Sequence, residues 1–499
     1  MRCVRAPGAV RVPGAVRVPG AVRVPGAVRV PGAARPLPAI RGPGLMIASV
    51  LLAACAVGPD YKRPAFDAAP AYKEAGDWKP SEPADALSRG PWWKIFKDEV
   101  LDGLEAQVAI SNETVKAAAA AYEQAEALVD QARAGFWPTL SASAARQRGT
   151  TYGPPARITD SAGLSADWSL DIWGSIRRAT ESNRASAQSS AAALAAARLS
   201  AQAALATDYF ELRAQDQLQT LLDDTVEAQR QSLKLAESRY RFGVAAKADV
   251  VSAHAQLLSS QAQQVNAKIQ RALLEHAIAV LIGRQPADFS VSAAPLRSDV
   301  PTVPAGLPSQ LLERRPDVAQ AERKMAAANA QIGVAVAAYF PSLTLSGSDD
   351  YTGSSMSRLI RASNRVWALG PSLAQTLFDG GLRRAQTAQA RAAYVASVDN
   401  YRQTVLAGFQ QVEDEIATLR ILEQQAVIEE AAVAAAQEAE RLTLNQYKAG
   451  TVPYSSVIAA QTTTLSSEQT ALGVLSSRLQ ASVAMIEALG GGWDAGQLP

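Results

Sequence analysis

The chain has 499 residues, of which 48% are hydrophobic and 19% are charged, and its formal net charge is +2. Residues 1–54 hold eight Arg and no acidic residue, so removing them from the 49 basic residues leaves 41 basic against 47 acidic residues. A mildly acidic remainder whose only cysteine is Cys55 argues against nucleic-acid binding, an intramolecular disulfide and a cysteine-based metal site.

The first 44 residues are repetitive. The hexad Pro-Gly-Ala-Val-Arg-Val occurs four times in tandem from Pro7 and decays from Pro31. Proline and glycine every six residues preclude helix and strand, so this is low-complexity sequence. We expect a wrongly chosen translation start that includes repetitive upstream DNA; a functional basic tail is the alternative.

A short apolar segment, residues 45–54, follows Arg41 and ends at Cys55. Ten apolar residues after a positive charge are typical of a signal-peptide core and are too few to span a bilayer as a helix. Leu52-Ala-Ala-Cys55 resembles the lipobox of bacterial lipoproteins, whose cysteine is lipid-modified, and Ala56 after it resembles an outer-membrane sorting signal. A free buried cysteine is the alternative.

Residues 55–91 are polar and proline-rich, which predicts an extended arm without a core of its own. Trp92 and Trp93 then open a helical region, Asp98 to Gly135, that is broken near Ser111. We expect this Trp pair to be buried against a neighbouring helix; an exposed binding pair is the alternative.

Two strand-like segments follow, at about 139–150 and 161–173. From Leu164 to Ile172 apolar and polar residues alternate, which predicts a strand with one apolar and one polar face. About ten residues is also the length of a tilted transmembrane strand. Half-buried sheets of soluble proteins show the same pattern, so this feature alone favours a membrane sheet only weakly.

Two long stretches, Gly174–Phe242 and Gly381–Tyr447, are rich in Ala, Gln and Leu and contain no proline. At 1.5 Å per residue each predicts a helix on the order of 100 Å long. Apolar residues recur every seven residues, as at Ile421 and Ile428, and this period imposes a left-handed supercoil on helices that pack along their length. A glycine turn and a further helix, about 249–282 or 455–489, follow each stretch.

The second half repeats the plan of the first. A helix at 311–338 leads into strand-like segments at 342–350 and 366–378, which precede the second long stretch. Pro341 matches Pro138 at an offset of 203 residues, and the turn glycines Gly450 and Gly243 match at an offset of 207. Ordered matches at a nearly constant offset indicate a duplicated helix–strand–strand–long helix–helix unit.

Four strands per chain cannot close a barrel, and open edges in lipid would cost several kcal/mol for each unpaired backbone group. A membrane-spanning sheet therefore requires an oligomer, and three copies would give twelve strands, enough for a water-holding lumen. Charges such as Arg230, Lys234 and Glu237 place the long helices on the aqueous side. The sequence thus predicts a mainly α protein with a membrane β-barrel: a trimeric twelve-stranded barrel continued by an α-helical barrel.

Several motifs resemble those of the TolC-like outer-membrane efflux proteins. They are the lipobox with Gly58-Pro-Asp-Tyr61, Trp92-Trp93 with Phe96, Leu311-Leu-Glu-Arg-Arg-Pro-Asp317, and the two Tyr-x-x-Gly turns. Within that family the chain is similar to the lipoprotein branch (OprM/NodT type) that serves resistance–nodulation–division pumps. The resemblance divides the chain into a precursor segment 1–54, an arm 55–91, a first repeat 92–300, a second repeat 301–492 and a tail 493–499. The Glu-Arg-Arg-Pro-Asp stretch is expected to be structural, with Pro316 near a helix start.

The resemblance implies a homotrimer in the outer membrane, lipid-anchored at Cys55, with a long periplasmic extension and no cofactor. Its periplasmic tip would open against an adaptor (a membrane fusion protein) and an inner-membrane pump of the resistance–nodulation–division type. Transport would be passive, through an exit duct for small molecules or drugs, with the energy supplied by the pump.

The resemblance also assigns a gate to the two helix turns, which contain Gly243 and Gly450. Asp249 matches a tip acid of the family and Tyr447 its partner tyrosine; Tyr240 is the equivalent tyrosine of the first repeat. We hypothesise that an Asp249–Tyr447 contact helps to hold the tip closed. Helix capping by Asp249 is the alternative.

The second turn departs from the family pattern. Where members often carry acids that form a constricting ring, this chain has Ser456 and Ala459, and where some carry an arginine it has Val452. Three-fold symmetry would concentrate acids into a cation-binding ring. Their replacement argues against such a ring here.

An enzyme is not expected, because His254 and His276 lie on predicted helices without a suitably spaced acid or nucleophile. No glycine-rich phosphate loop follows a strand, and no cluster of metal ligands appears in the sequence. Two other functions remain as alternatives. One is the outer-membrane component of type I protein secretion. The other is a coiled-coil structural lipoprotein without a channel, which leaves the paired strand segments unexplained.

Overall fold

The computed structural model describes residues 56–64, 72–75, 91–150, 156–303, 314–493, 496 and 498. All of these belong to one compact unit, Ala54–Pro499. The low-complexity segment, Cys55 and Glu313 lie outside the described residues.

The described part is a duplicated helix–strand–strand–long helix–helix unit, as the sequence predicts. The first half contains α1 (Glu99–Ser111), α2 (Glu113–Ala134), β1 (Thr139–Gly149), β2 (Arg157–Leu170), α3 (Ser175–Arg241) and α4 (Lys247–Leu281). The second half contains α5 (Pro316–Ala337), β3 (Ser342–Gly353), β4 (Arg365–Ala374), α6 (Leu382–Ala449) and α7 (Tyr454–Ala488). The halves match closely in length: α3 has 67 residues and α6 has 68, and α4 and α7 have 35 each.

The four strands form one antiparallel sheet in the order β1-β2-β3-β4. The two hairpins, one from each half, meet where β2 pairs with β3. Trp168 lies opposite Leu345 and Leu164 lies opposite Asp349 in that pairing. Duplicated halves thus build one continuous sheet.

Strand ends differ from the sequence prediction because the pairing sets them. β2 starts at Arg157, which pairs with the last residue of β1, Gly149. It ends before Asp171, whose carboxylate accepts hydrogen bonds from the Ile176 and Arg177 backbone N–H groups and so starts α3. β4 ends at Ala374 rather than Phe378, because its partner strand begins at Ser342.

A break separates α1 from α2 because Asn112 caps the second helix. Its side chain accepts a hydrogen bond from the Val115 backbone N–H and donates one to the Leu281 carbonyl oxygen. Such a cap satisfies backbone groups that a helix end leaves unpaired. The predicted break near Ser111 is confirmed, and Asn112 also ties it to the end of α4.

The main hydrophobic core lies where α1, α3 and α7 meet. Trp92 and Phe96, on the 3₁₀ helix Trp92–Phe96, are buried there, and the Phe96 ring lies 4.8 Å from that of Phe210. Tyr209 is also buried, and its hydroxyl donates a 2.8 Å hydrogen bond to Asp98. The predicted burial of the Trp pair is confirmed for Trp92, while Trp93 packs at the edge of the core.

The start of α5 is stabilised by the Glu-Arg-Arg-Pro-Asp stretch. Pro316 is the first residue of the helix, where its lack of an N–H costs nothing. Arg315 pairs with Asp317 at 2.7 Å and donates a 2.9 Å hydrogen bond to the Ala488 carbonyl oxygen. The structural interpretation of this motif is confirmed for these residues.

The heptad patterns of the two long helices differ in burial. On α3, Leu222 and Val226 are buried against the rest of the chain. On α6, Ile421, Ile428 and Leu442 are 56%, 68% and 47% exposed. The seven-residue pattern of α6 therefore predicts packing against another helix, and no helix in the described part of the same chain covers these residues.

Candidate functional site

The register of the sheet sorts its residues onto two faces. One face carries large apolar side chains from all four strands: Leu140, Leu164, Trp168, Leu345, Leu369 and Leu373. Leu140, Leu369 and Leu373 are about 70% exposed. An exposed apolar sheet face of this extent is unusual for a surface in water and marks an interaction surface.

The opposite face carries small and polar side chains. Ser141, Ser165 and Ser348 lie opposite one another across three strands. Asp167 accepts a 2.8 Å hydrogen bond from Ser346 on this face. Asp350 lies beside Gly163, where a Cβ atom would collide with its carboxylate. The small and polar side chains make this face compatible with contact with water, and the missing side chain of Gly163 leaves space for the Asp350 carboxylate.

Two arginine–aspartate pairs lie toward the hairpin-loop end of the apolar face. Arg146 pairs with Asp160 at 2.6 Å in the first hairpin, and Arg365 pairs with Asp349 at 2.7 Å in the second. Each pair bridges the two strands of its own hairpin. Charged side chains therefore border the apolar part of this face on the side of the hairpin loops.

Aromatic side chains lie at the other end of the strands, where the helices begin. Trp173 stacks on Phe340 at 4.7 Å and donates a 2.7 Å hydrogen bond from its indole N–H to the Pro341 carbonyl oxygen. Trp137 and Phe378 are exposed at the same level. Aromatic rings with polar handles are typical of the boundary between hydrocarbon and water.

The arm that follows Cys55 is fixed at this boundary. Val57 N–H donates a 3.1 Å hydrogen bond to the Trp173 carbonyl oxygen. Arg178 donates to the Val57 carbonyl oxygen at 3.2 Å and pairs with Asp60 at 2.7 Å. Asn329 donates a 3.0 Å hydrogen bond to the Pro59 carbonyl oxygen. The arm thus contacts α3 and α5 next to the ends of the strands.

Tyr61 anchors the next part of the arm, since its hydroxyl donates a hydrogen bond to Glu322 on α5. Burial raises the pKa of the Tyr61 hydroxyl, and the hydrogen bond to Glu322 adds to that rise. The hydroxyl therefore stays protonated at ordinary pH. The Gly58-Pro-Asp-Tyr61 motif is a docking segment in this structure.

The far ends of α3 and α6 form the helical tip, which we define as the turns around Gly243 and Gly450 with the adjoining helix ends. Both glycines have left-handed backbone conformations, with φ of +71° and +81°. Glycine adopts this conformation without the steric cost of a Cβ atom. Tyr240, the tyrosine of the first turn, is about half exposed, in contrast to Tyr447.

Tyr447 is buried at the tip. Its ring lies 5.2 Å from that of Tyr454 in an edge-to-face arrangement. Both belong to a small apolar cluster with Ala236, Ala253 and Val457, which joins the two turns. The ring of Tyr447, rather than its hydroxyl, thus makes the contacts of this residue.

The predicted contact between Asp249 and Tyr447 is not a hydrogen bond in this structure, because the buried Tyr447 hydroxyl has no hydrogen-bond partner among the described residues. Burial raises the pKa of that hydroxyl, and the negative charge of Asp249 adds to the rise. The two groups are therefore close enough to interact electrostatically. Asp249 is also not the N-cap of α4, which is Ala246; it lies in the first helical turn.

Ser456 and Ala459 lie in the first turns of α7. Ser456 is half-buried and Ala459 is exposed. Val452 packs against the Tyr447 cluster, so the second turn contributes apolar packing at this position.

Sequence reasoning missed Arg239, which makes the polar contact between the two turns. Its guanidinium lies 4.7 Å from the centre of the Tyr447 ring and donates hydrogen bonds to carbonyl oxygens at the end of α6. The only signal is a basic residue in the last turn of a helix, which is common at helix ends.

Within the part of the chain that the structure describes, no helix is long and apolar enough to cross a bilayer. Those same residues hold no group of three His, Cys, Asp or Glu placed to bind a metal ion.

The chain is similar to known outer-membrane proteins along nearly its whole length. It is 29% identical over 469 residues to the probable efflux pump outer membrane protein TtgC of Pseudomonas putida, covering 90% of this chain and 95% of that protein. It is 30% identical over 473 residues to the pyoverdine export outer membrane protein OpmQ of Pseudomonas aeruginosa, covering 92% and 98%.

Solved structures give the same result. The outer-membrane channel OprN matches with a TM-score of 0.81 and 30% identity, over 88% of this chain and all of that one. The open state of the Neisseria gonorrhoeae MtrE outer membrane channel matches with a TM-score of 0.78 and 27% identity, over 88% and 99%. The sequence pattern of the family described as outer membrane efflux protein matches residues 105–284 and 307–491. The chain therefore belongs to the outer membrane efflux protein family, as the resemblance predicts.

Proposed function

We propose that this outer-membrane efflux protein works as a homotrimeric channel, the passive exit duct of a tripartite efflux system. The observation that carries the proposal is the sheet, in which β1 and β4 each leave one edge unpaired among the described strands. Unpaired edges in hydrocarbon cost several kcal/mol for each backbone group. Because the sheet is antiparallel throughout, β4 of one copy can pair with β1 of the next, and three copies close a twelve-stranded barrel.

The two faces of the sheet support a barrel in a membrane. Leu140, Leu369 and Leu373 would face lipid, while Ser165, Asp167 and the other small polar residues would face the lumen. Alternation of this kind is the pattern of transmembrane barrels with water-filled interiors.

Exposed apolar stripes on the helices support the same assembly. On α4 a stripe recurs at a spacing of close to seven residues: Val251, Leu258, Val265, Leu273 and Val280. On α6, Ile421, Ile428 and Leu442 form a second stripe. A seven-residue repeat suits packing along another helix. We infer that helices of neighbouring copies cover these stripes and extend the barrel into the periplasm.

We propose lipid attachment at Cys55. Ala56 lies so close to Gly174 that a Cβ atom on that glycine would be 2.6 Å from the Ala56 Cβ. The described arm therefore starts where the strands end and the helices begin, beside the stacked rings of Trp173 and Phe340. An acyl chain on the preceding residue would reach the inner leaflet of the outer membrane without further chain in between.

We retain the hypothesis that Asp249 and Tyr447 help to hold the tip closed, now through the charge of Asp249 and the packing of the Tyr447 ring. The measurement is ion conductance through purified channels. If Asp249→Ala and Tyr447→Phe leave conductance unchanged, the Asp249 charge and the Tyr447 hydroxyl have no part in closure. If Tyr447→Ala also leaves it unchanged, the packing of the Tyr447 ring has no part either.

The implied partners are a periplasmic adaptor and an inner-membrane pump of the resistance–nodulation–division type. Similar proteins are named for toluene efflux, pyoverdine export and cation efflux, which are different cargoes on one fold. This range supports a duct for small molecules whose selectivity comes from the pump. Type I protein secretion predicts instead that deleting the gene abolishes export of a particular protein and leaves small-molecule resistance intact.

The experiment is planar-bilayer conductance of the purified mature protein, with its native mass measured in parallel. A three-copy mass and discrete channels support the proposal. A single-copy mass without conductance would favour the structural lipoprotein.

A matched pair of variants tests the stripes. Leu258→Glu with Val265→Glu places charges on the α4 stripe, whereas Ser259→Glu with Asn266→Glu places them on exposed positions beside it. The first pair should lower the dissociation temperature of the trimer, and the second should not. Equal effects would contradict the packing of α4 against a neighbouring copy.

A further inference from the structure

The turn after α6 supplies hydrogen bonds to only some of the last carbonyl oxygens of this helix. The Gly450 N–H donates to the Tyr447 carbonyl oxygen at 2.9 Å, and the Thr451 N–H donates to Gln446 at 3.0 Å. The Lys448 carbonyl oxygen receives neither of these. Carbonyl groups at a helix C-terminus carry partial negative charge and favour a nearby cation.

Arg239 supplies this cation from the other turn. Its Nη1 donates to the Tyr447 carbonyl oxygen at 2.6 Å and to the Lys448 carbonyl oxygen at 2.8 Å. Its guanidinium also lies 4.7 Å from the centre of the Tyr447 ring. The Arg239 side chain of α3 therefore binds the end of α6 in two ways: it donates hydrogen bonds to main-chain carbonyl oxygens, and it makes a cation–π contact with the Tyr447 ring.

The backbone of Arg239 has a second role in its own turn. Its carbonyl oxygen accepts hydrogen bonds from Val244 N–H at 2.8 Å and Ala245 N–H at 3.3 Å. The residue is thus fixed by the α3–α4 turn while its side chain binds the α6–α7 turn. The corresponding residue of the second half, at the 207-residue offset, is Gln446, which has no charge to offer in return.

Besides the apolar cluster around Tyr447, the helical hairpins α3–α4 and α6–α7 are linked near the tip by polar contacts to Ser232. Gln461 donates a 3.3 Å hydrogen bond to the Ser232 hydroxyl, and the Tyr454 side chain also hydrogen-bonds with it. These contacts are neutral and lie about two turns of α3 away from Arg239. Hydrogen bonds from a charged donor are roughly twice as strong as neutral ones. Arg239 is therefore the strongest polar link between the two turns among the described residues.

We propose that Arg239 keeps the channel closed by holding the C-terminal end of α6 against the α3–α4 turn. The inference rests on the proposed function, in which the tip is the gate, and it adds Arg239 to Asp249 and Tyr447 as a residue that holds this gate closed. Because the acceptors are main-chain oxygens, no side-chain substitution on α6 removes them. Opening thus requires that the two turns move apart.

The test compares three single variants in planar bilayers. Arg239→Gln removes the charged contact, Arg239→Lys keeps a charged donor, and Arg241→Gln removes the same charge from an exposed residue two positions further on. We expect Arg239→Gln to raise the open probability about 10-fold, the effect of losing one charge-assisted hydrogen bond. We expect Arg239→Lys to restore most of the closed state and Arg241→Gln to match the parent chain.

A second measurement reports on the tip without conductance. Hydrogen–deuterium exchange of the peptide spanning 444–456 should be faster in Arg239→Gln trimers than in Arg241→Gln trimers of the same native mass. If Arg239→Gln and Arg241→Gln both conduct and exchange like the parent channel, the proposed role of Arg239 is wrong, but the proposed channel function is unaffected. If the parent chain forms neither trimers nor channels, the proposed function fails, and this inference fails with it.

Discussion

Gly58 and Gly333 touch through their backbones: a Cβ atom on Gly58 would lie 2.5 Å from the Gly333 Cα atom. This contact lets the arm lie against α5, and Arg178 of α3 and Asn329 of α5 donate hydrogen bonds to its carbonyl oxygens. Small residues allow such close backbone approach, and any side chain there would push the arm away.

We predict that Gly333→Ala releases the arm. The added Cβ atom would lie 2.7 Å from the Arg178 Cγ atom and 3.0 Å from the Val57 carbonyl oxygen, so one of these must move. Trypsin should then cleave after Lys62 faster than in the parent chain. Gly103→Ala on α1 is the control, since a Cβ atom there meets nothing within 4 Å. Equal cleavage of both variants would show that the glycine contact does not hold the arm.

We predict that the stability of the fold decreases as the pH rises toward 9, and that Glu105→Gln abolishes this decrease. Glu105 is fully buried, and neither of its carboxylate oxygens has a partner among the described residues. Burial, with Asp102 as a second cause, raises the pKa of Glu105 to about 9. Because this folded-state pKa lies above the unfolded one, the neutral side chain is fully compatible with the fold below about pH 4.5. Stability then falls as the pH rises toward 9.

Each pKa unit corresponds to about 1.4 kcal/mol, so the slope is measurable by chemical unfolding between pH 5 and pH 9. Glu105→Gln should flatten this slope. Glu123→Gln, at an exposed position on α2, should leave it as in the parent chain. A slope that survives Glu105→Gln would assign the pH dependence to another group.

We predict that Asp216→Asn destabilises the link between α3 and α4. Asp216 is buried between Arg213 at 3.0 Å and Arg271 at 2.7 Å, and it also accepts a hydrogen bond from Ala294 N–H. Removing one partner of a buried ion pair leaves an uncompensated charge and costs about 3–5 kcal/mol. Thermal unfolding in detergent measures this loss. Asp224→Asn, an exposed change on the same helix, is the control, and a similar loss from both would contradict the prediction.

We predict that arginine is tolerated at one of two adjacent residues of β4 and not at the other. Leu369→Arg places a charge on the apolar face, at a cost of about 2–4 kcal/mol near the middle of the hydrocarbon. Ala368→Arg places the same charge on the opposite face, where the proposed lumen holds water. The fraction of folded trimer recovered from membranes should fall for the first variant and change little for the second. The reverse order would mean that the faces are assigned the wrong way round.

Much of the fold can be predicted from the sequence because its signals are local. Long runs without proline predict α3 and α6, and glycines in left-handed conformation mark their ends. Strand ends such as Arg157 and Ala374 could not be predicted, because they depend on the partner strand.

The sequence predicts where the tip lies, at the turns around Gly243 and Gly450, but not which side chains make contact there. Tyr447 and Asp249 lie near each other, yet the polar contact comes from Arg239, 208 residues away from Tyr447 in the chain. An arginine near a helix end carries no sign of a distant partner. The seven-residue pattern of α6 likewise does not reveal that Ile428 stays exposed within one chain.

The near-equality of the paired helices, 67 with 68 residues and 35 with 35, limits how such a protein can change length in evolution. The helices α3 and α4 form one helical hairpin, and α6 and α7 form the other. An insertion in one of them alone would shift its turn along the helix axis relative to the other turn, and would separate Arg239 from the end of α6. Viable length variants must therefore alter both halves together, and both arms of each hairpin. Whole seven-residue units are favoured, because they keep the apolar stripes in phase. Related channels with longer or shorter tunnels should differ by four coordinated insertions rather than by one.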